Sequence, residues 1–433
     1  MEESREFEVK ALARVEGEGR LYARIKDREV EHVELNIYEP PRFFESFLRG
    51  RDSHEVPDIT ARICGICPVA YQMTACGAIE RALELTPGPD IELLRRLLYC
   101  GEWIESHVLH VHLLHLPDFL GYHSGLEMAQ DHREVVERGL KMKKIGNELI
   151  EILGGRPIHP INVRVGGFYR APDVERLRSL LPDLKWALDA ALKTVHFVST
   201  LDFPQFEQPY EFVSLYHPEE YPMNGGRVIS SEGLDIAISD YEQHFKELHV
   251  PQSTALHSVK LPDHTTYLVG PLSRINLCLE QLTPKAKKAA LTCGVRWPSK
   301  NNFHSIVARS IEVAFAFEEA IRIVQLCDRP LAPSFMEGET RSGTGQFATE
   351  APRGLLYHRY ELDGNGQVEV AQIIPPTSQN QGQIESDLRQ LIPELLDEDD
   401  AFATHRCEHL IRNYDPCISC ATHFLKLKID EVH

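Results

Sequence analysis

The sequence has no long apolar run. Its most apolar window, residues 311–326, is interrupted by glutamates and an arginine, so nothing approaches the roughly 20 apolar residues that cross a bilayer. The opening MEESREFEVK is charged and lacks the apolar core of a signal peptide. The expected compartment is the cytoplasm, with export on a partner's signal as the exception. Basic residues are scarce: 46 Lys+Arg stand against 65 Asp+Glu, a formal net charge of −19. Such a chain repels phosphate backbones, which argues against nucleic acid as a partner. Cysteine is sparse too, ten in 433 residues, too few for a disulfide framework. No Ser/Gly linker, repeat or low-complexity tract divides the chain, so one compact unit is expected. The glycines of 338–345 lack a P-loop ending, and there is no H-E-x-x-H and no dinucleotide fingerprint.

What remains is ordinary globular material, 42% hydrophobic and 26% charged, long enough for a large core without covalent staples. Alternating apolar residues in 7–15, 21–25 and 33–37 predict a small N-terminal antiparallel sheet. Helical spacing predicts helices over 69–85, 91–116, 131–153, 174–200, 301–326, 383–396 and 401–411. Residues 203–275 read as loops with short strands, and 350–370 as a hairpin turning at Asp363-Gly364-Asn365-Gly366. The fold class is α+β: a mainly helical bundle with a small N-terminal antiparallel sheet and further short strands.

The information is concentrated in two cysteine pairs, Cys64-Gly65-Ile66-Cys67 and Cys417-Ile418-Ser419-Cys420. Four thiolates can hold zinc, iron, nickel or an iron–sulfur cluster. Zinc ribbons place their pairs ~15–20 residues apart, whereas Cys67 and Cys417 stand 350 positions apart. A site tying the two ends of the chain together is therefore expected. Neither pair follows a strand as in a thioredoxin-like dithiol. Spacing alone does not choose among the metals, and a structural four-cysteine zinc site stays open. The other six cysteines read as small buried hydrophobes. His107, His110, His112 and His115 fall in one predicted helix and suggest a hydrogen-bonded layer, a second zinc site being the lesser reading.

The flanks go further. Ala61-Arg62-Ile63-Cys64-Gly65-Ile66-Cys67-Pro68 and Asp415-Pro416-Cys417-Ile418-Ser419-Cys420-Ala421-Thr422-His423 resemble the two signature motifs of the large subunit of nickel–iron hydrogenases. Ala13-Arg14-Val15-Glu16-Gly17, Pro41-Arg42-Phe43-Phe44-Glu45, His107 through Leu116-Pro117-Asp118, Gly155-Arg156-Pro157-Ile158-His159-Pro160, Gly166-Gly167-Phe168, Glu350-Ala351-Pro352-Arg353-Gly354 and Pro376-Thr377-Ser378-Gln379-Asn380 follow the family order. The resemblance spans nearly the whole chain.

The resemblance implies a nickel held by all four thiolates, with Cys64 and Cys417 terminal. Cys67 and Cys420 bridge to an iron carrying carbon monoxide and cyanide. It implies heterolytic cleavage of dihydrogen, with Cys417 or Arg353 as base and Glu16 relaying protons. Arginine is a poor base by its ordinary pKa, and its other role is to hydrogen-bond a cyanide. Asp118 and Asp415 match outer aspartates, and Asp118 is carried among the catalytic candidates. Thr377 matches a hydroxyl that bonds a cyanide, and Pro352 and Pro376 match apolar walls. Glu45 and His423 match ligands of a magnesium or iron near the C-terminus.

Two departures stand out: Glu18 and Tyr71 occupy positions where many members have histidine. The family's maturation protease cuts after the residue matching His423, so residues 424–433 are expected to be removed after nickel insertion, leaving 1–423 as one domain. No second cysteine constellation exists for electron transfer. The family implies a small subunit with iron–sulfur clusters, alongside the maturation protease and nickel-insertion factors. Pro40-Pro41-Arg42-Phe43-Phe44-Glu45 and Asp58-Ile59-Thr60-Ala61-Arg62 look most like the cytoplasmic NAD(P)-linked or sulfhydrogenase branch, with flavin on a diaphorase-type partner. A deazaflavin- or ferredoxin-linked relative is the alternative. Two readings from other classes, a quinone-site subunit of the complex I type and a metal-free scaffold, are opposed by the intact cysteine pairs.

Overall fold

The computed structural model describes residues 4–40, 42–328 and 333–422. Strands Ser4–Val9, Gly19–Lys26 and Glu29–Ile37 form an antiparallel meander. Alternation along the middle strand buries Leu21, Ala23 and Ile25, which pack in one cluster with Phe206, Tyr210, Leu388 and Leu410.

The main core is helical. Helix Pro89–Leu109 packs against Arg133–Gly154 on one side and Ser305–Leu326 on the other, and the latter packs on Leu181–Val198. Two of these helices meet nearly backbone to backbone. A Cβ on Gly146 would lie 2.9 Å from the Gly101 carbonyl oxygen, so only glycine allows the approach. Helix Pro68–Ala82 lies on a second antiparallel sheet, Gly343–Ala351, Gly354–Leu362 and Val368–Ile374.

Three elements differ from the sequence expectation. The helix predicted over 91–116 ends at Leu109, and His110–His115 widens into a π turn before Leu116–Leu120 resumes with Pro117 in its first turn. The histidines that i,i+3 spacing would pair, His107 with His110 and His112 with His115, turn to different partners: His107 meets Glu312, His112 lies beside Thr194, and His110 and His115 face the C-terminal segment. The stretch 174–200 breaks at Leu180, where Pro182 opens a new helix. The predicted hairpin is the second half of a larger sheet whose first turn is made by Pro352-Arg353.

One buried ion network ties that turn to the helical core. Arg274 is fully buried and donates from Nε and Nη2 to the two Glu312 oxygens, each at 2.7 Å. Its Nη1 reaches Glu350 at 2.9 Å, and it also donates to the carbonyls of Ala351 and Pro352 at 3.0 Å. Tyr221 donates to Glu312 at 2.7 Å. Burial pushes the Glu312 carboxyl up, but the Arg274 pairing wins and holds it at about 2 against its usual 4.5.

Replacing Arg274 with Met strands the Glu312 charge and should cost roughly 3–5 kcal/mol in urea unfolding at pH 7. Because the Glu312 pKa is depressed on folding, its stabilisation is fully present above about pH 4.5 and lost as the pH falls toward about 2. The difference between wild type and Arg274→Met should therefore shrink across that window.

Candidate metal centre

The N-terminal cysteine pair is shaped locally. Cys64 follows a 3₁₀ turn, Ala61–Ile63, in extended conformation, and Cys67 caps helix Pro68–Ala82. The backbone N–H groups of Ile66 and Cys67 both point at Cys64 Sγ, at 3.3 Å. Pro68 brings no N–H to the helix start. The next two, Val69 and Ala70, donate to the Glu102 carboxyl at 2.6 and 3.0 Å. A glutamate from the neighbouring helix thus does the work of an N-cap.

The C-terminal pair is shaped by distant partners. After helix Asp400–Asn413 the chain passes Asp415 in left-handed conformation, φ 51°, and enters Cys417 extended. Cys417 forms a parallel bridge with Glu16, and Ile418 N donates to Glu16 O at 3.0 Å. Gly17, at φ +89°, makes the contact possible: a Cβ there would lie 2.7 Å from Ile418 Cβ and 2.6 Å from a Glu39 oxygen. Arg42 closes the corner. Its guanidinium donates to the carbonyls of Ile63 and Ser419, and its N–H donates to Thr422 O at 2.7 Å.

These segments bring all four buried sulfurs within 4.8 Å of one another. Cys64 and Cys417 lie 3.5 Å apart, Cys67 and Cys420 3.8 Å, and all four are free thiols. Four soft donors around ~2.3 Å metal–sulfur bonds need spacings of this order, so the residues fit a thiolate-bound metal. Contacts with its three partners pull the Cys64 thiol well below its usual 9, while burial pushes Cys417 up.

Glu16 is half-buried, with Oε2 3.1 Å from Cys417 Sγ and accepting from Ser419 N at 3.0 Å. Ser419 Oγ in turn meets Glu39 at 3.0 Å. Arg353 donates from Nε to Asp415 O at 2.7 Å and from Nη2 to Asp415 Oδ1 at 3.2 Å. Its Nη1 is buried with no acceptor. Burial works against the guanidinium charge, but Asp415 and the Cys417, Cys67 and Cys64 thiols outweigh it and raise its pKa well above 12.5. Thr377 accepts from Cys417 N at 3.0 Å, which leaves its own proton to donate. Pro352 and Pro376 are buried.

Asp118 lies elsewhere. Its carboxylate receives Arg412 at 2.7 and 2.8 Å, Arg14, and His405 at 3.1 Å. Arg412 also holds Ala13 O at 2.8 Å. Asp118 therefore clamps the segments leading to Glu16 and to Cys417, and touches neither. His115, Asp118 and His409 do place ligand atoms within 4.8 Å. Both carboxylate oxygens already face guanidinium groups, whose charge repels a cation, so this is an ion-pair node. Glu45 is buried, accepts from Ile373 N at 2.8 Å, and is pushed by burial to about 7. Nearby Glu247 is pushed by burial, then by Glu45, to about 8. His423 lies outside the described residues.

Sequence reasoning gave Glu39, Arg42, Glu102 and Arg412 no role. Arg42 stands inside the Pro40–Glu45 motif, and Glu102 is one of several charged residues of its helix, with nothing local to set it apart from Glu92 or Glu105. Glu39 and Arg412 carry no local signal, because their partners are hundreds of residues away.

The comparisons agree with this geometry. Residues 42–138 match the family model described as nickel-dependent hydrogenase. The chain is 34% identical to the alpha chain of Sulfhydrogenase 1 from Pyrococcus furiosus, over 96% of this chain and 97% of that protein. It is 29% identical to an F420-non-reducing hydrogenase subunit of Methanothermobacter marburgensis, over 96% and 94%. Among solved structures, an NAD+-reducing [NiFe]-hydrogenase in the H2-reduced state matches with TM-score 0.88 and 25% identity, over 97% of this chain and 99% of that one. Motifs, sulfur cluster and relatives lead to one assignment: the chain belongs to the nickel-dependent hydrogenases, as a catalytic large subunit of the nickel–iron type.

Proposed function

We propose that Cys64, Cys67, Cys417 and Cys420 hold the nickel, with Cys67 and Cys420 shared by an iron that carries carbon monoxide and cyanide. Thiolates are soft donors suited to both metals. When bound, this group would supply the heterolytic cleavage of dihydrogen. The chain's own residues handle the proton. The observation that carries the reading is Glu16 Oε2 at 3.1 Å from Cys417 Sγ, within hydrogen-bond reach. From Glu16 the way out runs past Ser419 Oγ to Glu39, which also receives Glu18 N at 2.9 Å in the exposed turn.

Arg353, held as a cation by Asp415 and the thiols, is unsuited to accept the proton. Its free Nη1 and the Thr377 hydroxyl suit the nitrogen ends of cyanides. Pro352 and Pro376 wall the diatomic ligands, and Asp118 positions the two chain ends. Glu45 and His423 hold a magnesium or iron ion; the buried Glu45–Glu247 pair, both pKa values raised, supports a cation there.

Among the described residues no second cysteine cluster offers an iron–sulfur site. Electrons therefore leave through an iron–sulfur small subunit, and on to NAD(P) through a diaphorase-type flavin partner. The match to an NAD+-reducing enzyme supports that acceptor. The proposed compartment is the cytoplasm, as the charged opening of the sequence suggests; no helix among the described residues is long and apolar enough to cross a membrane. Residues 424–433 are removed by a maturation protease after nickel insertion.

The purified complex should show sharp carbon monoxide and cyanide infrared bands, and Cys420→Ala should lose both bands and metal. Hydrogen-dependent reduction of NAD(P)+ should exceed that of a deazaflavin or a ferredoxin; the reverse order would reassign the partner. Glu16→Gln should block dihydrogen oxidation and proton reduction by at least 10²-fold, the scale of a lost acid–base group, yet spare para/ortho hydrogen conversion. Unchanged turnover would remove Glu16 from the proton route. Intact mass of the active subunit should equal residues 1–423.

A further inference from the structure

Helices Leu181–Val198 and Pro284–Thr292 pack side by side on Ser305–Leu326. Along the shorter helix, Ala286 and Ala290 are buried in the core. Lys285, Lys288, Ala289 and Thr292 recur at i, i+3, i+4 and i+7 and form its flank. Opposite them stand Leu192, Val195 and His196 of the longer helix. The two flanks enclose a cavity of about 350 Å³, at the small end of ligand pockets. Its floor is aliphatic: Leu192, Val195 and Ala289 pack on the main core. Its rim is basic: Lys285, Lys288 and His196 are exposed.

No carboxylate lines this cavity, whereas Asp189 and Glu318 line the neighbouring groove. The sequence around it is free of acid: residues 281–311 hold Lys285, Lys287, Lys288, Arg296, Lys300 and Arg309 without one Asp or Glu, in a chain of net charge −19. Lys143, Lys144 and Lys287 each reach a carboxylate, but among the described residues Lys285 Nζ and Lys288 Nζ reach none. The other polar groups nearby are engaged. Thr292 Oγ1 donates to Lys288 O at 2.9 Å, and Cys293 Sγ donates to Ala290 O at 3.2 Å. Glu318 accepts from Lys285 N at 2.9 Å and from Ala286 N at 3.2 Å, so the helix start is satisfied and only side chains face the cavity. Like charges three residues apart on a helix repel, and an anion held between them removes that cost. We propose that this cavity binds a small amphipathic anion, a carboxylate or phosphate monoester on an aliphatic body. The headgroup meets Lys285 and Lys288, and the body lies on Leu192, Val195 and Ala289. No Phe, Tyr or Trp lines the cavity, so nothing there stacks on a nucleobase. None of its lining residues belongs to the metal centre, so the inference stands apart from the function proposed above.

The test titrates the intact complex calorimetrically with octanoate, octyl phosphate, 1-octanol and inorganic phosphate at low ionic strength. Octanoate, octyl phosphate or both should bind at one site per large subunit, and the better of the two names the headgroup. 1-Octanol and inorganic phosphate, each carrying half of the recognised chemistry, should bind at least about tenfold more weakly. The double variant Lys285→Gln/Lys288→Gln should weaken the anionic probe by about tenfold or more, the scale of lost charge-assisted hydrogen bonds, and leave 1-octanol unchanged. Ala289→Phe, which fills the floor, should abolish binding of the anionic probe. Hydrogen-dependent turnover without probe should match wild type in both variants, which shows that they are folded. In the unaltered complex, added salt should weaken the anionic probe and spare 1-octanol, a readout that needs no variant. Three results overturn the proposal: no saturable binding of either anionic probe, binding that both variants leave intact, or a half-probe that binds as tightly as the whole.

Discussion

Everything at this site hangs on the closure of the chain's two ends. Residues 13–17 and 412–418 lie side by side, joined by the Glu16–Cys417 bridge and by Arg412 reaching Ala13 O. The closed loop spans almost the entire chain, so its entropic cost is offset by the fold and not by the bridge. That cost grows only slowly with loop length. The clamp is Asp118, an anion between Arg14 and Arg412 whose own helix, Leu116–Leu120, belongs to neither of the two segments it joins. Without that clamp Glu16 has no reason to stand beside a thiol, and half of the sulfur set loses its place.

Buried charge is used in the same way throughout. Arg274, Glu312 and Glu350 form a closed network around the turn that carries Arg353. Breaking one member strands the others in a low dielectric, which is how an ion pair of modest net value enforces one geometry. Arg353 itself is gripped by Asp415 through both backbone and side chain. The guanidinium is consequently rigid and permanently charged. Such a group suits fixed hydrogen bonding and electrostatic stabilisation. It leaves the proton to the half-buried Glu16, which alone among the described carboxylates touches a sulfur.

The chemistry of the site was legible in the sequence because motifs are local: each cysteine pair, with its flanks, carries its own signature. Their convergence followed from the spacing, which was too long for a zinc ribbon. The long helices were legible from their 3.6-residue period, as in Arg133–Gly154 and Ser305–Leu326. The π turn at His110–His115 was not, since an extra residue in a helical turn leaves no mark on apolar spacing. Through that distortion His110 and His115 come into ring contact and face the C-terminal segment, while His107 meets Glu312. The strand Gly343–Ala351 was missed because its glycines, alanines and glutamate carry little strand signal without the partner Gly354–Leu362 that pairs them. Asp118 shows the limit of motif transfer. The residue is present in its motif, and what it does follows from Arg14 and Arg412, which only the fold brings to it.

The two cysteine pairs are not held alike. Cys64 and Cys67 are fixed within their own segment: two backbone N–H groups meet Cys64 Sγ, a helix begins at Pro68, and Glu102 secures that helix start. Cys417 and Cys420 have only a short 3₁₀ turn of their own, Ile418–Ala421. Their neighbours are Glu16, Arg42 and Thr377, drawn from three separate parts of the chain. The first pair therefore keeps its geometry wherever its helix is folded. The second acquires geometry only when the N-terminal turn, the Arg42 corner and the start of helix Pro376–Leu391 are all in place. A ligand set divided in this way reports on the completeness of the fold, because its four sulfurs meet only when distant segments have docked.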